Sequence, residues 1–323
     1  MTPADYASFS NSAITFAGVV YALAFLAHVA EWAAGRKVPV QAAEPERVAA
    51  RVGTDSPEPP VEEADEERSL RLEQLGTIGV GLTVLGAVLH LVGLVARGLS
   101  ADPARVPWGN MYEFTVSGLL GATLVYLVLL RRHQLRWLGL LVTGFNVVIL
   151  MLAGLLLYEP AGPLVPALQS YWLVIHVIAA VIATGAFTVG AMTSALFLLK
   201  RRTEESGRLR DTGYLARVPA SPVLDRVAYR VHAFGFPIWT FAALIAGPIW
   251  AEYAWGRYWG WDPKEVWAFI TWVVYAAYLH ARATAGWKGK AAAVIALVGF
   301  ATLLFNFVGI NFFFGASSQH SYA

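Results

Sequence analysis

The stretch QLGTIGVGLTVLGAVLHLVGLVA, Gln74 to Ala96, runs for 23 residues without an Asp, Glu, Lys or Arg, and Glu73 and Arg97 bracket it. A helix rises about 1.5 Å per residue, so this stretch can cross the roughly 30 Å of a bilayer's hydrocarbon. Charge stays at the ends because a central Lys, Arg or Asp costs about 2.5 to 3.5 kcal/mol on insertion scales. Seven further segments follow the same rule, at approximately 12–31, 112–130, 137–158, 171–199, 232–252, 265–285 and 291–313. The chain therefore reads as an all-α fold, a polytopic membrane helix bundle of about eight transmembrane helices.

Composition points the same way. Of 323 residues, 57% are hydrophobic and 14% charged, and the mean hydropathy of +0.53 exceeds what a soluble globular chain carries. A net charge of +2, with scattered basic residues, speaks against nucleic acid as a partner. With no cysteine, the chain forms no disulfide, no thiolate metal site and no thioether bond to a haem of its own. We find no internal repeat of the secondary-transporter kind and no phosphate loop, nucleophile elbow or zinc-protease motif. The first helix lacks the cues of a cleavable signal peptide and is expected to stay attached.

The basic residues set the expected orientation. Loops at 36–71, 131–136, 200–230 and 282–290 hold 20 of the 24 lysines and arginines; the opposite set holds Arg97, Arg105, Arg257 and Lys264. By the positive-inside rule both termini lie outside the cytoplasm. Three regions are expected: a first transmembrane helix at 1–35, an acidic cytoplasmic linker at 36–72, and a seven-helix domain at 73–323. The linker is rich in Pro, Glu and Asp, as in VEEADEER from Val61, and reads as disordered. In the loop before the sixth span, Ser221 and Pro222 read as a cap and first helical position, predicting a short interfacial helix with Val223, Val227 and Val231 on one face.

Ionisable groups at membrane depth point to function, although a single His in a bundle can simply donate a hydrogen bond to a neighbouring helix. The chain has seven histidines, at 28, 90, 133, 176, 232, 280 and 320. His176 lies near the outer start of the fifth span, and His320 follows the eighth span on the same side. His280 falls 15 residues beyond Glu265, roughly 22 Å deeper, and belongs to another level, where the candidates for a second ligand are His28, His232 or a histidine of another protein. His90 reads as structural. Two imidazoles beside many aromatic faces are the parts needed to hold a flat, apolar macrocycle with axial ligands.

The segment 250–267, WAEYAWGRYWGWDPKEVW, supplies those faces. Asp262, Pro263 and Glu265 read as the cap, first turn and capping box of a helix, and its tryptophans are partly an interfacial belt. Yet Trp255, Trp259 and Trp261 crowd into seven residues with Gly256 and Gly260. Glycine lets a backbone approach a ligand closely, and Arg257 and Lys264 are placed to meet carboxylates such as propionates. An elaborate belt and a ligand platform both account for this pattern.

The run WAEYAWGRYWGWDPKEVWAFITWVVYAAYLHAR (250–282) resembles the WWD domain of haem-handling membrane proteins, and within them the CcsA/ResC subunit family of the System II cytochrome c synthase. The similarity extends to YWLVIHV (171–177), LDRVAYRVHAFGFP (224–237), WGNMYEF (108–114) and HSY (320–322), and so covers the chain from about residue 75 onward. The resemblance implies that His176 and His320 ligate haem iron beside the WWD segment, where Trp255, Trp259, Trp261, Asp262, Arg257 and Lys264 surround a b-type haem. It implies that His280 serves an inner haem site whose other ligand comes from a CcsB/ResB-type partner subunit. It further implies a multi-pass cell membrane protein that moves haem outward and presents it, outside the cytoplasm, to the CxxCH thiols of apocytochrome c. The chain would then be one subunit of a haem lyase, active with its partner. Two alternatives stand: a haem exporter without ligation activity, and a bis-haem electron-transfer cytochrome.

Overall fold

Glycines every seven residues along the second helix set how the bundle begins. The computed structural model describes residues 1–35, 61–133, 135–163, 166–208, 213–284, 286–314 and 318–320. Helix α1 (Pro3–Gly35) lies antiparallel along α2 (Val61–Leu99). Gly79, Gly86 and Gly93 of α2 receive His28, Tyr21 and Ile14 of α1, each where a Cβ would otherwise sit. Lipid tails are as apolar as leucine, so membrane helices associate by such close approach and by hydrogen bonds, here Ser10 Oγ donating to the Gly93 carbonyl at 2.7 Å.

The remaining α-helices are α3 (Met111–His133), α4 (Gly139–Leu152), α5 (Tyr171–Glu205), the single turn α6 (Tyr214–Arg217), α7 (Ser221–Phe241), α8 (Gly247–Trp255), α9 (Pro263–Ala283), α10 (Lys290–Leu304) and α11 (Ile310–Phe314). No strand occurs among the described residues. Helix α5 is central, packed on α3, α7 and α10. Its contact with α3 is backbone to backbone: a Cβ on Gly185 would stand 2.8 Å from the Gly121 carbonyl carbon.

Seven helical runs among the described residues are long and apolar enough to cross a membrane, including α7 with α8 as Ser221–Trp255 and α10 with α11 as Lys290–Phe314. The eighth expected span, 265–285, is α9, a helix of 21 residues that is not among those seven. Its tryptophans and tyrosines, with His280 and Arg282 near its end, make it amphipathic rather than uniformly apolar. It pairs with α10 through Tyr275, which sits against Gly299.

Two sequence-based expectations change. Most of the expected linker, 36–60, lies outside the described residues, but 61–72 is helical rather than disordered, because α2 already begins at Val61. The Glu, Ala and Arg of VEEADEERSL are strong helix formers, and a helix that continues a membrane span has already met its nucleation cost. Glu67 and Arg71 add an i,i+4 pair at 2.6 Å. Likewise, no separate interfacial helix starts at Ser221. Ala220 is the N-cap, and α7 runs unbroken from Ser221 into the span, since nothing between Val223 and Phe236 interrupts the helix.

Buried ion pairs fasten both ends. At one end Glu113 accepts from Arg97 Nε (2.9 Å), Arg105 Nη1 (2.7 Å) and the Gly109 N–H (2.7 Å). Arg97 and Arg105 also donate to the carbonyls of Glu159 and Gly162. The same end carries 256–262 and the tail 318–320. At the other end Arg282 binds Asp225 through two bonds, 2.7 and 3.1 Å, and stacks over Tyr229.

Candidate functional site

The site starts from a proline. Pro248 has no N–H to give, so the helix running from α7 into α8 cannot keep its regular ladder there. It widens into a π-turn over Ala242–Ala246, with the Gly247 N–H bonded five residues back to the Ala242 carbonyl. That carbonyl also accepts from His176 of α5, at 2.9 Å from Nδ1. A carbonyl only accepts, so His176 holds its proton on Nδ1 and keeps Nε2 as a lone-pair donor.

His320 is fixed in the same way by different means. Its Nδ1 lies 3.0 Å from Asp262 Oδ1, and a carboxylate only accepts, so Nε2 is again the unengaged nitrogen. Asp262 is the N-cap of α9 and forms a capping box with Glu265. It also holds the tail, accepting from Ser318 Oγ (2.8 Å) and the Gln319 N–H (2.6 Å). Burial pushes the Asp262 carboxyl up, but the bonds from His320, Gln319 and Ser318 outweigh it and bring it down to about 2. A carboxylate behind an imidazole is how metal-ligating histidines are commonly oriented.

Arg257 and Lys264 strap the tail too. Arg257 donates to the Gln319 side chain, and Lys264 Nζ donates to the His320 carbonyl at 3.1 Å. Burial pushes the Lys264 ammonium down to about 8, against the opposing pull of Asp262.

Trp250 joins the two histidines. His176 stacks on it with centroids 5.9 Å apart and planes at 17°, and His320 meets it edge-on at 5.4 Å. Trp255 also meets His320 edge-on, at 4.6 Å, and lies against Trp250 at 4.9 Å. Trp259 stands edge-on to Trp261 at 5.8 Å. Trp261 is 68% exposed and has φ of 57°, a left-handed backbone costly for a bulky residue. Its cause is local: Glu265 Oε2 accepts from the N–H groups of Gly260 and Asp262 on either side, at 2.8 and 3.1 Å. The turn closes on Glu265 and turns the Trp261 ring out.

A cavity of about 230 Å³ opens between α5, the π-turn, the start of α9 and a second π-turn at Phe305–Gly309. His176, Trp250, Trp259, Lys264, Asn306 and His320 are in its wall, with largely apolar side chains around them. Trp259 Nε1 and Asn306 Oδ1 are buried there without partners. No cluster of three or more His, Asp or Glu suited to a bare metal ion occurs among the described residues. The arrangement suits an apolar ligand that brings its own metal, with two imidazole nitrogens to meet it.

The structure thus gathers His176, His320, Trp255, Trp259, Asp262, Arg257 and Lys264 into one place, with Trp261 at its exposed rim. His280 stands apart, exposed on the last turns of α9. His232 turns inward, fully buried among Phe187, Tyr275 and Tyr278, with Nε2 3.3 Å from Ser194 Oγ. His28 is buried against Glu31, and His90 against Tyr21. Trp250, Ser318 and the Ala242 carbonyl were not singled out from the sequence. Pro248 inside a helical pattern was the available signal for the last of them.

Residues 108–316 match the family model described as Cytochrome C assembly protein. The chain is 34% identical over 304 residues to the cytochrome c biogenesis protein CcsA of Synechococcus sp. (strain JA-3-3Ab), covering 78% of this chain and 86% of that one. It is 33% identical over 268 residues to CcsA of Guillardia theta, covering 78% and 87%. Against CcsA of Chlamydomonas reinhardtii the identity is 36% over 254 residues, covering 77% and 69%.

Proposed function

The chain belongs to the cytochrome c assembly protein family and to its CcsA branch, and from that premise we propose that it carries haem to the outer face of the membrane and presents it there to apocytochrome c. The family membership itself places the chain in cytochrome c maturation, and its apolar helices fit a multi-pass membrane protein. The single observation that carries the finer reading is the pair of imidazoles, His176 and His320. Both touch Trp250, both have Nδ1 engaged, and both leave Nε2 for a ligand.

The residues fit a b-type haem as ligand and substrate. Trp259 Nε1 and Asn306 Oδ1 are unsatisfied polar atoms in the cavity wall, where a ligand's own polar groups complete them. Lys264 and Arg257 each retain N–H donors beyond the bond to the tail, enough for propionates. Trp255 shields His320, and Trp261 projects toward the side from which an acceptor protein arrives.

Attachment consists of each CxxCH thiol adding across a haem vinyl, with a carbon–sulfur bond forming and the thiol hydrogen passing to the other vinyl carbon. The addition needs no oxidant and no side-chain nucleophile from this chain, so the site's contribution is holding and orientation. A chain without cysteine offers no competing thiol.

An inner haem site at His280 belongs to the same reading. His280 is exposed on α9, while His232 is enclosed by Phe187, Tyr275 and Tyr278 and His28 is packed against Gly79 and Gly139. Its second ligand then comes from a CcsB/ResB-type partner, and the basic loops face the cytoplasm, where haem enters. A self-contained electron-transfer cytochrome needs two ligands from this chain at each haem, and His280 has no histidine beside it among the described residues.

The test is co-expression of the chain, its partner and an apocytochrome, with covalent haem read by staining. His176→Ala with His320→Ala abolishes the covalent product; persistent attachment in that double variant overturns the proposal. Omitting the partner also leaves no product.

A further inference from the structure

A second space, on the other side of the α3–α5 contact from the histidine cavity, is an apolar groove of about 850 Å³ between α2, α3, α5 and α7. It follows α3 from Ser117 to Leu129, twelve helical rises or about 18 Å. Leu91, Leu124, Val128, Ile182 and Phe234 line it and are themselves exposed, so the groove is open along its side.

Its polarity is one-ended. At one end Trp108 and Ser117 satisfy each other, Nε1 to Oγ at 3.1 Å. At the other end is Arg230 of α7, the one charged residue in the lining. Among the described residues the Arg230 guanidinium has no hydrogen bond or ion pair, and it is exposed. Arg226, one turn earlier on α7, is likewise exposed and unpaired, so two free guanidiniums stack at i,i+4 beyond the mouth.

We propose that this groove binds an anionic glycerophospholipid of the cytoplasmic leaflet, with an acyl chain laid along α3 and the phosphate paired with Arg230. The length agrees with one leaflet, about 15 Å of a hydrocarbon core of roughly 30 Å. The lining is apolar along its length with its one cation at one end, the layout of an acyl chain carrying an anionic headgroup. The headgroup sits on the side of the basic loops, where anionic lipids and arginines attract. The site depends on the inward orientation of those loops and is independent of haem.

The test uses the full chain reconstituted in phosphatidylcholine bilayers that contain a minor fraction of phosphatidylglycerol, then extracted and weighed by native mass spectrometry. Wild-type protein retains phosphatidylglycerol over phosphatidylcholine. Arg230→Gln lowers that retention about tenfold, as loss of a charge-assisted bond implies. Val128→Trp, which fills the groove and leaves Arg230 in place, lowers it as well, and Lys288→Gln, an exposed basic residue elsewhere, leaves it unchanged. Each variant is checked for a wild-type thermal midpoint, and Arg230→Lys recovers part of the retention. Equal retention of the two lipids by wild type, or unchanged phosphatidylglycerol in both groove variants, overturns the proposal. So does loss of haem absorbance in Arg230→Gln with lipid retention intact, which assigns the groove to haem.

Discussion

Asp262 shows how much a single residue of this chain does at once. One carboxylate caps α9, accepts from the tail at Ser318 and Gln319, and orients the ring of His320. Its low pKa of about 2 keeps it ionised throughout the neutral range, so the imidazole faces a full negative charge. Losses behind a ligating histidine commonly cost about 10- to 100-fold in affinity. Asp262→Asn keeps the shape and removes the charge, and is expected to lower haem retention by that order while helix content stays unchanged. Ser318→Ala removes one of several bonds to the same carboxylate, worth about 1 kcal/mol, and is expected to lower retention only about fivefold. Haem absorbance per protein, read beside circular dichroism, checks both. Wild-type absorbance in Asp262→Asn sinks the orienting role.

At the scale of elements, the π-turn sets where His176 points. A Cβ at Gly247 would meet the Ala242 carbonyl at 3.1 Å and the His176 ring at 3.3 Å, tighter than ordinary contact, so Gly247→Leu is expected to turn the imidazole away and abolish outer-site haem with the bundle intact. Gly185→Val strikes elsewhere: its first carbon meets α3 backbone at 2.8 to 2.9 Å, and backbone cannot step aside. The expected outcome there is a lowered thermal midpoint, of the size of an overpacked core, about 1–3 kcal/mol. Thermal unfolding with haem spectra on both variants separates the two effects; a wild-type spectrum in Gly247→Leu defeats the first. The contrast also marks what a sequence discloses. The capping box at Asp262 and Glu265 is legible because its partners stand three residues apart and obey a local rule. The Asp262 and His320 bond joins residues 58 apart, and no local pattern announces it. The widened turn at Ala242–Ala246 has Pro248 as its mark, and a proline says that a ladder breaks without saying which carbonyl takes a second donor.

For the whole molecule, the helical spans were legible because membrane physics acts on each segment separately: every span must be apolar. The start of α2 was not, because acidic composition reads alike in a solvated helix and a disordered linker. The seven-residue glycine ladder between α1 and α2 lay in plain view, yet its meaning needed the facing side chains of α1. Orientation is open to a direct measurement that this chain makes simple. It has no cysteine, so a single introduced thiol reports only its own position. Tyr258 is 61% exposed beside the Trp-rich turn, and Arg208 is exposed after α5 in the most basic loop. If the basic loops face the cytoplasm, Tyr258→Cys reacts with a membrane-impermeant maleimide in intact cells. Arg208→Cys then reacts only after the membrane is opened. The reverse pattern places the His176 and His320 site on the cytoplasmic face, and with it removes any presentation of haem to an acceptor outside.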